Sequence, residues 1–150
     1  MNDRIRKLEE LCAEVIRKFQ PEDFDHDGIP EKTKCNLAVA EVALLYSGVK
    51  EFRGLLANQI YDLISGDSRW LVINGLSAQL NAMKGHLCLA AQKGEVHGHV
   101  AVILPRPMVY SSKWKAYVPM VANVGVRNGA MGCNFAFARE PHYFMYIGGK

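Results

Sequence analysis

Apolar positions near the start of the chain recur at spacings of three and four. Ile5, Leu8, Leu11, Cys12, Val15, Ile16 and Phe19 share one helical stripe, which predicts an amphipathic helix over 3–19. Asn2 or Asp3 can cap it, and Pro21 helps to stop it. Cys12 lies on the stripe and reads as a small core residue. Residues 21–34 are rich in turn formers. A second helix is expected from Cys35 to about Tyr46, before Gly48, with Ala38, Val39, Val42, Ala43 and Leu45 inward. A third spans about Leu55 to Ile64, stopped at Gly66-Asp67, and residues 77–83 suit a short fourth. After Gly85 the pattern changes to short apolar runs bounded by Gly and Pro. Leu87–Ala91 and His99–Leu104 read as buried strands. Tyr117–Val124 and Tyr143–Ile147 are further strands, and Asn134–Ala138 is a weaker one. Helices first and strands later predict an α+β fold with a mostly antiparallel sheet.

The chain has 150 residues, 49% of them hydrophobic and 22% charged, which suits one globular domain over 1–150. No apolar run is long enough to span a bilayer. The start lacks the apolar core of a signal peptide, so synthesis in the cytoplasm is expected. Cys12, Cys35, Cys88 and Cys133 are widely spaced, which argues against a zinc ribbon or a disulfide framework. The net charge of +3 is uneven: residues 21–31 hold five acidic and no basic residues, and residues 32–150 hold thirteen basic and six acidic ones. A mildly basic body suits an anionic polymer, but without a dense basic stripe it does not suggest nucleic acid.

Two positions could carry chemistry. Cys35 opens a helix, where unpaired N–H groups and the helix dipole favour a thiolate. His99 heads an apolar strand and could serve as a base toward a distant thiol. A third polar group would have to hold the imidazole. Each also has a plain structural reading, as a buried thiol and a satisfied histidine.

The segments Gly28-x-Pro30-x-Lys32-x-x-Cys35-x-x-x-Val39, Arg53-Gly54-x-x-Ala57-Asn58, Gly85-x-Leu87 and Gly98-His99-Val100-Ala101-Val102 together resemble type VI secretion amidase effectors. These are small papain-like cysteine peptidases related to the NlpC and CHAP families. The likeness covers residues 28–104, about half the chain. It implies a papain-like fold, and hydrolysis of an amide in peptidoglycan stem peptides. Cys35 would attack, His99 would move the proton, and the Cys35 N–H would face the oxyanion. In these families the third residue lies on the next strand, where Asn123 stands, with Asn128 and Asn134 as competitors. The resemblance further implies action in the periplasm or wall of a target cell, as an antibacterial effector or a lysin, and a monomer is the default expectation. An effector would have an immunity protein as partner.

Asp23-x-Asp25-x-Asp27-Gly28 resembles the start of a calcium loop, but its twelfth position is Lys34 where Glu is needed. No cofactor is expected beyond this calcium option. His97 and His99 would share a strand face; no acidic or thiol ligand lies nearby in sequence, so His97 is placed at the cleft rim. Trp70, Trp114 and Tyr110 could line a groove or fill the core. The competing readings are a non-catalytic calcium-dependent wall-binding module and a papain-like acyltransferase or deamidase.

Overall fold

The computed structural model describes residues 2–28 and 33–148. Pro30 and Lys32 of the nucleophile segment lie outside the described residues. Helix α1 (Asp3–Lys18) begins where Asn2 accepts the Ile5 N–H and buries Ile5, Leu8, Cys12 and Val15. Helix α2 (Cys35–Ser47) ends at Gly48, whose φ of 71° suits glycine. Helix α3 (Ala57–Gly66) follows, then strand β1 (Trp70–Ile73), helix α4 (Gly75–Met83), β2 (Cys88–Gln92) and β3 (His99–Ile103). The hairpin β4 (Val109–Ser111) and β5 (Ala116–Val118) precedes β6 (Met120–Asn123), β7 (Gly129–Gly132), the short α5 (Cys133–Ala136) and β8 (His142–Tyr146).

Six strands form one antiparallel sheet in the order β1-β8-β2-β3-β6-β7. Apolar layers cover both of its faces, which is why β2 and β3 read as continuous apolar runs. On the first face Leu89, Ala91, Val100 and Val102 pack with residues of α1, α2 and α3. On the second, Cys88, Ala90, Ala101 and Ile103 pack with Ala78 and Ala82 of α4, Cys133 and Phe137. The four cysteines are free and buried. No described helix is long and apolar enough to cross a membrane.

The α+β expectation holds, with helices packed on an antiparallel sheet. Several local expectations do not. Pro119 has no N–H for a ladder, and the run predicted over Tyr117–Val124 breaks there into β5 and β6, which belong to different sheets. The weaker strand at Asn134–Ala138 is instead the short helix α5 with its exit. Strands β1, β4 and β7 are additional. Leu45 is exposed and Tyr46 is buried in its place, because α2 is apolar all round and its pattern selects no face. Trp70 belongs to the core, stacked on Phe52 at 5.6 Å between ring centroids. Trp114 packs against the second core, while Tyr110 is exposed on the hairpin beside Tyr117. None of these three aromatics lines the cleft around His99.

Candidate active site

Strands β3 and β6 separate at one end. Their pairing is confined to Val102 with Ala122 and Ile103 with Val121, whereas β2 follows β3 back to His99. The Leu104 N–H points toward β6, donating to the Met120 carbonyl at 2.9 Å. Residues two apart in a strand direct their amides to the same side, so the Val100 N–H also points toward β6. There β6 no longer pairs with β3, and the Val100 N–H instead faces the Cys35 thiol, where it favours the thiolate.

Cys35 reaches this position because α2 packs across β3 and starts at Cys35. Lys34 supplies no side-chain cap. The N–H groups of Cys35 and Asn36 therefore remain directed at the sulfur. Asn36 Nδ2 donates to the Leu55 carbonyl at 2.9 Å, tying this helix start to the approach to α3.

His99 lies beside the same amide, on the second face of the sheet, with its ring 4.8 Å from that of Phe137. Its Nε2 is 2.6 Å from Asn123 Oδ1. The Arg127 carbonyl accepts from Asn123 Nδ2 at 2.7 Å, so the carboxamide oxygen must be the atom that faces His99. An oxygen only accepts, which places the ring proton on Nε2 and leaves Nδ1 as the basic atom. Asn123 is itself buried.

The loop entering β3 is clamped from α3. Asn58 Nδ2 donates to the Gly94 carbonyl at 2.9 Å, and Asn58 Oδ1 accepts the Gly94 N–H at 3.1 Å. Gly98 lies so close that a Cβ there would collide with Asn58 Oδ1 and, at 2.7 Å, with the Gln92 carbonyl oxygen. Glycine is required by this close approach.

Electrostatics depart from the sequence expectation. Burial raises the Cys35 thiol above its ordinary value, and the three N–H groups offset this only in part. Burial lowers the His99 imidazole, against the raising effect of Asn123. At neutral pH the two groups rest as thiol and neutral imidazole. The helix start softens the desolvation of Cys35 without reversing it. Cys12, Cys88 and Cys133 are each held up at about 12, chiefly by burial.

Two cavities meet at Gly98 and His99. One, of about 270 Å³, is lined by Thr33, Asn123, Gly125, Val126, Arg127 and Phe135 among others. The other, of about 700 Å³, is lined by Gln92, Lys93, Glu95, His97 and Arg139. His97 stands at the rim, but it precedes β3 and does not share a strand face with His99 as the alternation predicts, because the strand starts only at His99 after the clamped loop.

Of the competing asparagines, Asn134 makes no hydrogen bond to His99, and its Oδ1 is buried without a partner among the described residues. Asn128 has a different place. Its Oδ1 accepts the Gly125 N–H at 3.0 Å, and its Nδ2 donates to the Ile16 and Phe19 carbonyls at 3.0 and 2.8 Å. It fastens the turn after β6 to the end of α1. Asn128→Ala removes these three hydrogen bonds, although the Ile16 carbonyl keeps the Gln20 Nε2 donor at 3.1 Å, and is expected to destabilise the fold by about 1–3 kcal/mol. Urea unfolding measures that loss, and an unchanged midpoint would remove Asn128 from this role.

In the acidic loop, Asp23, Asp25 and Asp27 each bring a carboxylate oxygen within 4.8 Å of the others. The Gly28 N–H donates to Asp23 Oδ2 at 2.8 Å, and the Asp27 N–H to Asp25 Oδ1 at 3.2 Å. Desolvation raises the Asp23 carboxyl, but hydrogen bonds led by the Gly28 N–H outweigh it and hold the group below its usual range. Lys34, in the twelfth place, has its Nζ 3.6 Å from Glu22 Oε1. A cation there cannot supply the bidentate carboxylate of a calcium loop, so the residues do not fit a complete EF-hand. Chelation by EDTA is expected to leave any Cys35-dependent turnover within about twofold, since the thiol–imidazole pair uses no metal ligand from this loop. A larger loss, restored by added calcium, would overturn this.

Sequence reasoning singles out Cys35, His99 and Asn123, and the fold brings all three to the opening between β3 and β6. It misses Gln92, Arg127, Phe137 and Arg139. Gln92 stands opposite His99 in the β2–β3 register, which no local pattern reveals. The dipeptide Asn128-Gly129 is a turn signal, but it gives no hint of the contact with α1. No protein-family model and no curated protein matches the chain.

Proposed function

We propose that this chain is a cysteine amidase that hydrolyses an amide bond in peptidoglycan stem peptides. The observation that carries this reading is the convergence on one backbone amide. The Val100 N–H faces the Cys35 thiol, and the adjacent His99 is oriented by Asn123 with Nδ1 as its basic atom. A nucleophile, a base and an orienting group are the components of acyl transfer by a thiol. The choice of peptidoglycan rests on the resemblance of residues 28–104 to papain-like amidases. On that resemblance, the protein acts in the wall or periplasm of a target cell, as an antibacterial effector or a lysin.

In this mechanism His99 Nδ1 takes the thiol proton as the sulfur attacks the scissile carbonyl. The Cys35 N–H, at the uncapped helix start, donates to the oxyanion. His99 then returns the proton to the leaving amine. Water, deprotonated by the same imidazole, releases the acyl group from sulfur. Asn123 keeps the Nε2–H in place throughout and stabilises the transient imidazolium.

The test is digestion of purified peptidoglycan, read by mass spectrometry of the muropeptides. Wild type is expected to yield a new fragment pair, one member bearing a new carboxylate and the other a new amine. The same products from Cys35→Ala, or no products from folded wild type, would refute the reading.

A further inference from the structure

We propose that Arg127 and Arg139 are specificity-determining residues that recognise carboxylates on the two sides of the scissile amide; this rests on the amidase reading above. His99 stands where the two cavities join, and each cavity carries one of these arginines. Their placement is built from the same residues that surround the imidazole. The Arg127 carbonyl accepts from Asn123 Nδ2 at 2.7 Å, and Asn123 Oδ1 faces His99. The Arg139 carbonyl accepts from Gln92 Nε2 at 3.1 Å, and Gln92 is the cross-strand partner of His99. Two carboxamides next to the imidazole thus anchor the main chain of one arginine each.

Both side chains are exposed, and neither guanidinium has a carboxylate partner among the described residues. Arg6, Arg17, Arg69 and Arg106 are each paired with Asp or Glu; Arg4 and Arg53 also lack a carboxylate partner among the described residues, but neither lines a cavity at His99. Lys93, in the Arg139 arm, is held by Asp62 at 2.7 Å. Glu95 lines the same arm and makes no ion pair with Arg139. A guanidinium presents a planar fork that matches a carboxylate through two parallel hydrogen bonds. One such fork on each side of the base fits an amide flanked by two acidic groups better than a neutral peptide.

Binding is measured by calorimetry on Cys35→Ala, so that turnover does not intervene. The probes are a muropeptide with free stem carboxylates and the same molecule after carbodiimide amidation. Amidation is expected to weaken binding about tenfold or more, as loss of a charge-assisted hydrogen bond implies. Arg127→Ala and Arg139→Ala should each weaken binding of the free acid by about tenfold and leave the amidated form unaffected, with Lys recovering part of the loss. Equal binding of the two probes, equal losses on both, or no binding of either overturns the inference. Its failure is separable from that of the amidase reading. Cys35-dependent cleavage that ignores amidation defeats only the arginines, and acid-selective binding without cleavage defeats only the amidase.

Discussion

Cys35→Ala is expected to lower muropeptide cleavage at least about 10⁴-fold while the protein stays folded, because a covalent route has no substitute for its nucleophile. The variant loses one buried sulfur, which costs about 1 kcal/mol of apolar burial, so retained structure by circular dichroism separates lost chemistry from lost fold. The same residue should dominate alkylation. Cys35 is 7% exposed, against 1% for Cys12 and 0% for Cys88 and Cys133, and it alone has N–H groups directed at its sulfur that favour the thiolate. Mass spectrometry after a short iodoacetamide pulse should find one modified peptide, that containing Cys35. Comparable labelling of all four thiols, or full cleavage by Cys35→Ala, would defeat the assignment.

His99→Ala is expected to cost about 10³- to 10⁴-fold in kcat/KM, the range of a positioned general acid–base. The pH profile supplies an independent readout. The productive form of the pair carries one shared proton, as thiol and neutral imidazole. Acidification protonates the imidazole, which then cannot accept the thiol proton. Burial places that event below the ordinary imidazole value of 6.5, so activity should persist at pH 6.5 and fall only at lower pH. The alkaline limb belongs to the thiol, displaced above its ordinary 9.0. Between them lies a broad plateau. In Asn123→Ala the hydrogen bond that raises the imidazole is lost, so the acid limb should move lower still, along with a fall in kcat. An acid limb above 7, or an Asn123→Ala limb moved upward, would contradict this picture of the site.

The helical stripe of α1 was legible because it follows one period, and β2 and β3 because they are continuous apolar runs bounded by Gly and Pro. Asn2, Gly48 and Gly66 mark helix ends by local chemistry. The short strands β1, β4 and β7 were not legible, since three or four residues give no period, and Pro119 divides an apolar run whose halves join different sheets. At the site, Cys35 and His99 could be named from a helix start, a strand head and a resemblance. The sign of their titration shifts could not, because it depends on how deeply the fold buries each group. Likewise Asn123 and Asn128 are the same residue type five positions apart. One touches the imidazole and the other the end of α1, a difference set by which way each points from the strand and turn.

The parting of β3 from β6 gives the scaffold a built-in reporter. The Val100 N–H faces the Cys35 sulfur where β6 has left β3. Acylating or alkylating Cys35 changes the charge and position of that sulfur, while the neighbouring Val102 pairing with Ala122 is untouched. The chemical shift and solvent exchange of one backbone amide therefore encode the occupancy of the nucleophile. Modification of that thiol is then followed in solution without a label on the reagent.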